Sequence, residues 1–577
     1  MRYLFPYLKK YKAHGILAPI FKMIEALLDL AVPLIVADII DIGIANNDQR
    51  FITTRFALMI AIAFAGLICS VVAQYFAARA AVATATGLRH DLMSHIEQLS
   101  SAEIDHFGRS TLITRVSSDV SQVQNGINMF LRVFLRSPVI IFGAAVLAFV
   151  TKGVTGLIFA GLIVVLFLII FGVMKITTPM YTHAQQKLDR VTVSTREVLR
   201  GVRVVRAFSR EDSEMHSFDH ANHELTHAQL HVGHVGAVLH PLTHIAINTG
   251  IVLVLWVGAK NVNAGLLLSG AIIALVDYMT HILEELVKLA QLVVLMGKTI
   301  ASVRRINAVL NTNSSITYGN IKQPDDSDVA VRFNNVSMRY ADDTDDALSG
   351  VSFEIKRGQT VGIIGSTGSG KSSVVSLMAR FYDATQGSVE ILGAPISEWE
   401  KAALHGRVAV VLQEPWLFRG SIRSNLTFGK PDATDEQLWR ALDMAQASEF
   451  VREKPGMLDF PIEQGAQNLS PGQRQRLVIA RALTTEPDIL VLDDCLSSLD
   501  YSTEAAIRRD LSALDRRMTV IIVGERTAIM RHADNILVLD DGRLVGEGNH
   551  DTLIQSCGVY REIHHYSDVA EEVQYES

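Results

Sequence analysis

Gly365-Ser366-Thr367-Gly368-Ser369-Gly370-Lys371-Ser372 reads GxxxxGK[ST], a spacing in which glycines let backbone N–H groups curl around phosphate oxygens. The apolar run Val361–Ile364 before it predicts a compact buried strand, and Ser373–Tyr382 after it a helix. Phosphates would then sit at a helix N-terminus, where the backbone dipole favours negative charge. Lys371 would reach the β- and γ-phosphates, the Ser372 hydroxyl would join a Mg²⁺ shell, and Ser373 would lie beside them. A Gly/Ser-rich turn is the plain alternative. A second apolar run, Ile489–Leu492, ends in Asp493-Asp494. A carboxylate there suits Mg²⁺, which takes few protein ligands and completes its shell with water and phosphate. In isolation such an Asp is a turn or a helix cap; a phosphate loop upstream makes it a metal carboxylate.

The elements that must hold these residues differ between the two ends of the chain. From Val329 onward short β-like runs alternate with turns and helices, as in an α/β P-loop NTPase. Residues 321–577 carry 26 Lys+Arg against 40 Asp+Glu, whereas residues 1–320 carry 27 against 20. Over all 577 residues acids outnumber bases, 60 to 53, which excludes the basic balance of a nucleic-acid binder. Three scattered cysteines, Cys69, Cys495 and Cys557, exclude a disulfide framework or a zinc cluster and point to a reducing compartment.

A span needs about 20 mostly apolar residues. Phe56–Ala78 and Gly153–Met174 contain no Asp, Glu, Lys or Arg, and neither do Ser137–Thr151 and Leu225–Ala259. Ile16–Ile40 and Leu266–Val294 are weaker because charges interrupt them. Six spans in residues 1–320, then a nucleotide-binding domain in 321–577, is the expected organisation. The long segments Arg79–Arg132 and Lys175–Glu224 hold many arginines and should lie in the cytoplasm as helical extensions, with both termini on that side. Met1–His14 lacks a cleavage site for a signal peptide and reads as an interfacial helix.

Asn468-Leu469-Ser470-Pro471-Gly472-Gln473-Arg474-Gln475-Arg476 resembles the LSGGQ signature of ATP-binding cassette (ABC) proteins. Tyr340 is similar to the adenine-stacking aromatic of that family, Gln413 to its Q-loop glutamine, which reaches the metal and the attacking water, and Ser497-Ser498-Leu499-Asp500 to its D-loop. Glu197 and Gly201–Phe208 resemble the cytoplasmic-loop motif of six-helix exporters. The resemblance covers nearly the whole chain and implies an exporter-type half-transporter using ATP and Mg²⁺. It also implies a dimer, in which ATP lies between one chain's phosphate loop and the other chain's signature. Ser470, Gly472 and Gln473 would contact that nucleotide.

Three positions depart from the family pattern. Asp494 stands where the family has Glu, the base that polarises attacking water, and is one methylene shorter. Glu525, in Gly524-Glu525-Arg526, stands at the switch-histidine position, where a carboxylate would repel the γ-phosphate. Pro471 replaces the first signature Gly, which a first helical position tolerates. The chain therefore resembles the degenerate-site subunit of heterodimeric multidrug exporters. It would hold ATP with little hydrolysis and lend its signature to a second half-transporter carrying the intact Glu and His.

Within the apolar half, Glu25 and Asp29 sit four apart, and Asp277, His281 and Glu284 share a helical face. Intramembrane charges are costly and face a cavity or a partner helix. They are candidates for recognising a small amphipathic or cationic cargo, with helix pairing the alternative. Histidines at 216, 220, 223, 227, 231, 234, 240 and 244 form a pattern that could chelate metal, titrate near neutral pH, or simply be a solvated face. The expected activity is multidrug-type export of hydrophobic or amphipathic compounds across a bacterial plasma membrane. The same architecture could instead move lipid, peptide or a metal complex, or work as an ATP-gated channel or regulatory subunit.

Overall fold

The computed structural model describes residues 5–323, 327–341, 344–512 and 518–575. The chain divides into one unit of residues through Glu97 with Ser110–Thr312, and a second of Gln98–Arg109 with Asn313–Ser577. The boundary falls at Thr312 rather than at 320, and the Gln98–Arg109 segment leaves the first half of the sequence to join the second unit. Of the N-terminal segment, Met1–Leu4 lie outside the described residues, and Phe5–Lys10 is a short helix.

The Gln49–Ile96 helix shows how the first unit forms. Asp48 caps it by accepting from Phe51 N at 3.0 Å, which satisfies one of the free N–H groups of the first turn. Its buried residues are Ala73, Ala77, Ala80, Ala81, Thr84, Ala85, Leu88 and Leu92, a stripe at helical spacing. Small side chains there let neighbouring backbones approach. Phe64, Leu67, Ile68 and Val71 remain exposed, as they would against lipid. Among the described residues five helical stretches are long and apolar enough to cross a membrane: Gln49–Ile96, Arg109–Thr151, Gly153–Arg200, Glu211–Asn263 and Ser269–Leu310. The first expected span is the 27-residue helix Lys12–Asp38, whose charges keep it outside that apolar set.

Those charges are neutralised between helices. Arg136 donates to Glu285 at 2.8 Å and to Asp29 at 2.9 Å, and lies 3.8 Å from Glu25. Ser137 Oγ and Lys288 Nζ donate to Glu285 at 2.6 and 2.8 Å. Lys22 Nζ donates to Glu25 at 2.6 Å and to Ser70 at 3.1 Å. The network ties Lys12–Asp38, Gln49–Ile96, Arg136–Thr151 and Ser269–Leu310 together.

The second unit contains a six-stranded sheet. In spatial order its strands are Arg543–Gly548, Asn535–Asp540, Thr360–Gly365, Thr519–Gly524, Ile489–Asp493 and Val408–Val411. All pairs are parallel except the first. Parallel strands are covered on both faces and so read as continuous apolar runs. Val361, Ile363, Ile521 and Val491 enter one core, and Ile364, Val520, Ile522 and Leu492 the other. An antiparallel sheet of Leu348–Lys356, Val329–Met338, Gln386–Ile391 and Ala394–Pro395 closes the first of these cores. The Ser101–Phe107 helix belongs to this unit: Glu103 accepts from Ser315 N at 3.1 Å, and Asp105 accepts from Tyr382 Oη at 2.5 Å. Burial opposes the Glu103 charge, but hydrogen bonds from Ser100 and Ser315 hold its carboxyl below the usual range.

Removing one partner from a buried ion pair costs about 3–5 kcal/mol, because the other charge stays buried. Arg136→Met should therefore lower the melting temperature of the detergent-solubilised chain well below that of Arg136→Lys. Equal melting of the two variants and the parent would show that the network carries no stability.

Candidate functional site

Three neighbouring strands deliver their C-terminal ends to one place. The register sets Gly524 beside Ile364 and Val523 beside Asp493. The loops that follow carry Gly365–Gly370, Glu525 and Asp494, so residues distant in sequence become neighbours at the edge where open α/β sheets bind ligands.

Sterics dictate the glycines of the first loop. A Cβ on Gly365 would stand 2.3 Å from the Leu539 carbonyl oxygen, and one on Gly370 2.8 Å from that of Ala347. Gly370 also has φ +98°, open to glycine and costly for other residues. Lys371 begins the helix Lys371–Met378 and its Nζ donates to the Gly365 and Ser366 carbonyls, each at 2.8 Å. Ser369 Oγ is buried and, among the described residues, without a hydrogen-bond partner. An orphaned hydroxyl inside a ring of backbone groups fits a phosphate ligand. Ser372 is exposed at the first helical turn, and Ser373 Oγ lies 3.0 Å from Tyr340 Oη. The Tyr340 ring is half-exposed and meets Tyr382 edge-on at 5.1 Å between centroids. Thr367 and Gly368 complete the loop.

Asp493 is the last residue of its strand and is buried. Burial, and then the neighbouring Asp494 charge, push its carboxyl up to about 6, with Lys371 opposing. A carboxylate that resists ionisation in this way is one whose charge a divalent cation would stabilise. Mg²⁺ held by Asp493 and Ser372 would neutralise phosphate charge. Gln413 Nε2 donates to Asp494 Oδ2 at 3.0 Å. Asp494 adopts φ +45°, a left-handed conformation that Asp tolerates better than most residues.

Glu525 faces the phosphate loop. Its Oε1 accepts from Thr367 Oγ1 at 2.9 Å and from Lys371 Nζ at 3.3 Å. A carboxylate thus takes one of the donors that a phosphate would need. The spacing of the motif contains no sign of this pair, because it depends on which strands are adjacent.

The signature forms its own capped helix, Pro471–Thr484, with Pro471 at the first turn. Ser470 Oγ accepts from Gln473 N at 3.2 Å, and Gln473 Oε1 accepts from Ser470 N at 3.1 Å. Among the described residues no hydrogen bond joins Ser470, Gly472 or Gln473 to the phosphate loop.

In the first unit, Glu25 and Asp29 are engaged by Lys22 and Arg136. Asp277 lies 3.4 Å from His281 and Glu284 3.9 Å from Lys288. The structure does not gather these five candidates into one site. The central acid is Glu285, which the spacing did not single out. A lone Arg136 directly before the uncharged Ser137–Thr151 was the available signal.

Residues 16–286 match the ABC transporter transmembrane region and residues 348–497 the ABC transporter ATPase family model. An uncharacterized ABC transporter ATP-binding protein of Mycobacterium tuberculosis (strain ATCC 25618 / H37Rv) is 31% identical over 561 residues, covering 96% of each chain. An ATP-dependent lipid A-core flippase of Vibrio vulnificus (strain YJ016) is 27% identical over 562 residues, covering 97% of this chain and 96% of its own. A solved bacterial Atm1-family ABC exporter with ATP bound shares the fold, with TM-score 0.79 at 21% identity over 96% of this chain and 98% of that one.

This likeness overturns the expected heterodimer with a second half-transporter carrying intact Glu and His. The solved chain, with which this one shares its fold over 96% of its length, is a bacterial Atm1-family ABC exporter with ATP bound. A second copy of this chain would bring the same capped signature helix, so a different half-transporter is not needed to supply one. An α-helical transmembrane domain precedes an α/β ATPase domain, and the chain is an exporter-type member of the ABC transporter family that couples ATP to transport across a membrane.

Proposed function

We propose that a pair of identical copies of this chain moves a lipid-like amphiphile with an anionic head across the membrane, at a slow rate of ATP turnover. The observation that carries the cargo is a cavity of about 500 Å³ within the first unit, of a size to take part of a drug- or lipid-sized molecule. Val287, Leu239 and Val232 supply apolar wall, while Thr177, Tyr181, Gln291 and Lys298 are its polar residues. Lys298 is exposed and, among the described residues, has no carboxylate partner. Cationic cargo is disfavoured, because Glu25 and Asp29 already neutralise Lys22 and Arg136. The lipid A-core flippase among the relatives supports a lipid reading.

Slow turnover follows from Asp494 and Glu525. Gln413 holds the shorter Asp494 side chain, and Glu525 competes for Lys371 and Thr367. Transition-state stabilisation needs donors aimed at developing negative charge, and Glu525 supplies the opposite. A second cassette must complete each site, since the signature lies apart from the phosphate loop.

Reconstituted in liposomes, the chain should flip fluorescent anionic lipid in an ATP-dependent way, and Lys298→Ala should raise the apparent KM for it about tenfold while leaving neutral lipid unchanged. Transport of cationic dye in preference, unaffected by Lys298→Ala, would defeat the cargo reading, and ion conductance without vectorial movement would make it a channel.

Glu525→His should raise ATP turnover by about tenfold or more, since a single misplaced group at such a site costs 10²–10³. Unchanged turnover would show that Glu525 does not limit hydrolysis.

Below about pH 6 Asp493 is protonated and cannot hold Mg²⁺, so Mg²⁺-dependent ATP binding should weaken between pH 7 and 5. Its raised folded value also means that the nucleotide-free cassette gains stability as pH falls through 6, fully so below the ordinary aspartate range. Asp493→Asn should abolish both slopes; their persistence in that variant would assign them to another group.

A further inference from the structure

The Glu211–Ala237 helix carries His216, His220, His223, His227, His231 and His234, all exposed. At 3.6 residues per turn these six fall within about 80° on the helix wheel. The buried residues of that helix, Leu225 and Val232, project from the opposite side, and Val232 also lines the cavity described above. The stripe therefore serves neither the packing of the helix nor the cavity. Nearby Glu224 is occupied by Lys187 at 2.7 Å and Arg190 at 3.8 Å.

One pair in the stripe has chelating geometry. His223 and His227 bring their Nε2 atoms to 3.0 Å, with ring planes at 84°. Metal–imidazole bonds of about 2.0–2.1 Å drawn from two such nitrogens meet at an angle of about 95°. That angle suits two adjacent corners of a tetragonal or octahedral shell better than a tetrahedron. The proton shared by the two rings moves to an Nδ1 when the ion enters, leaving both Nε2 lone pairs free. His240 and His244 contrast with this pair: their rings stack at 4.2 Å and 16°, so their nitrogens do not converge.

We propose that His223 and His227 form a bidentate site for a divalent late-transition-metal ion, taking Cu²⁺ or Ni²⁺ ahead of Zn²⁺. Among the described residues no three His, Cys, Asp or Glu side chains form a metal site, so water completes the shell. The cis angle and the general order of divalent affinities both set Cu²⁺ first. His220 and His231, one turn to either side, offer further and weaker pairs. A bound ion bridges one helical turn and staples the middle of the helix.

The test uses the full chain in detergent, purified by a tag without histidine and titrated with Cu²⁺, Ni²⁺ and Zn²⁺ by calorimetry. Electron paramagnetic resonance of the Cu²⁺ form reads the nitrogen ligands. The tightest step should weaken about tenfold or more in the double variant His223→Gln/His227→Gln, with loss of the two-nitrogen signature. It should persist in His240→Gln/His244→Gln. Because all four side chains are exposed, both variants should keep the parent melting temperature, and His227→Gln alone provides a second check. Retention of the tightest step in the His223/His227 variant, or a Cu²⁺ spectrum without nitrogen ligands, would overturn the site.

Discussion

Register in the parallel sheet is the constraint on which the ATPase half depends. Because Ile364 stands beside Gly524 and Asp493 beside Val523, three loops end together, and the Gly365–Gly370 loop, Asp493 and Glu525 share one edge. A one-residue slip of a strand would turn every side chain to the other face. The alternation of Val361 and Ile363 into one core with Ile364 into the other prevents that slip, since both faces are apolar and filled. Site geometry is thus fixed by packing well away from the ligand.

The membrane half solves a different problem. Lys22, Glu25, Asp29, Arg136 and Glu285 would each be expensive alone in a low-dielectric region. Their mutual hydrogen bonds convert five liabilities into a fastening between helices. A guanidinium is well suited to the centre of such a cluster, because its planar fork serves two carboxylates at once.

Local pattern makes the strand, loop and helix around Gly365–Ser372, the strand ending in Asp493 and the helix start at Ser470 readable, because each depends on residues contiguous in sequence. The apolar stretches of the first half were readable for the same reason, although Lys12–Asp38 carries charges that obscured it. What spacing could not supply was pairing across elements. Glu285 reads in the sequence as an interruption rather than a hub, and the bond from Gln413 to Asp494 joins two elements far apart in the chain. The contact of Glu525 with Lys371 and Thr367 required knowing which strands are neighbours. The expected partner failed for another reason: a departure from a family pattern describes one site's chemistry and says nothing about whether the second chain is different.

The docking of Gln98–Arg109 bears on how this molecule can be dissected. The chain passes from one unit to the other after Glu97, returns after Arg109, and leaves again after Thr312. The ATPase unit is therefore discontinuous, and no single cut releases it whole. A fragment starting at Asn313 would expose the Ser315 amide and the Tyr382 hydroxyl that Glu103 and Asp105 now satisfy. What reads in the sequence as two consecutive domains is, in covalent terms, one domain threaded through a stitch of the other.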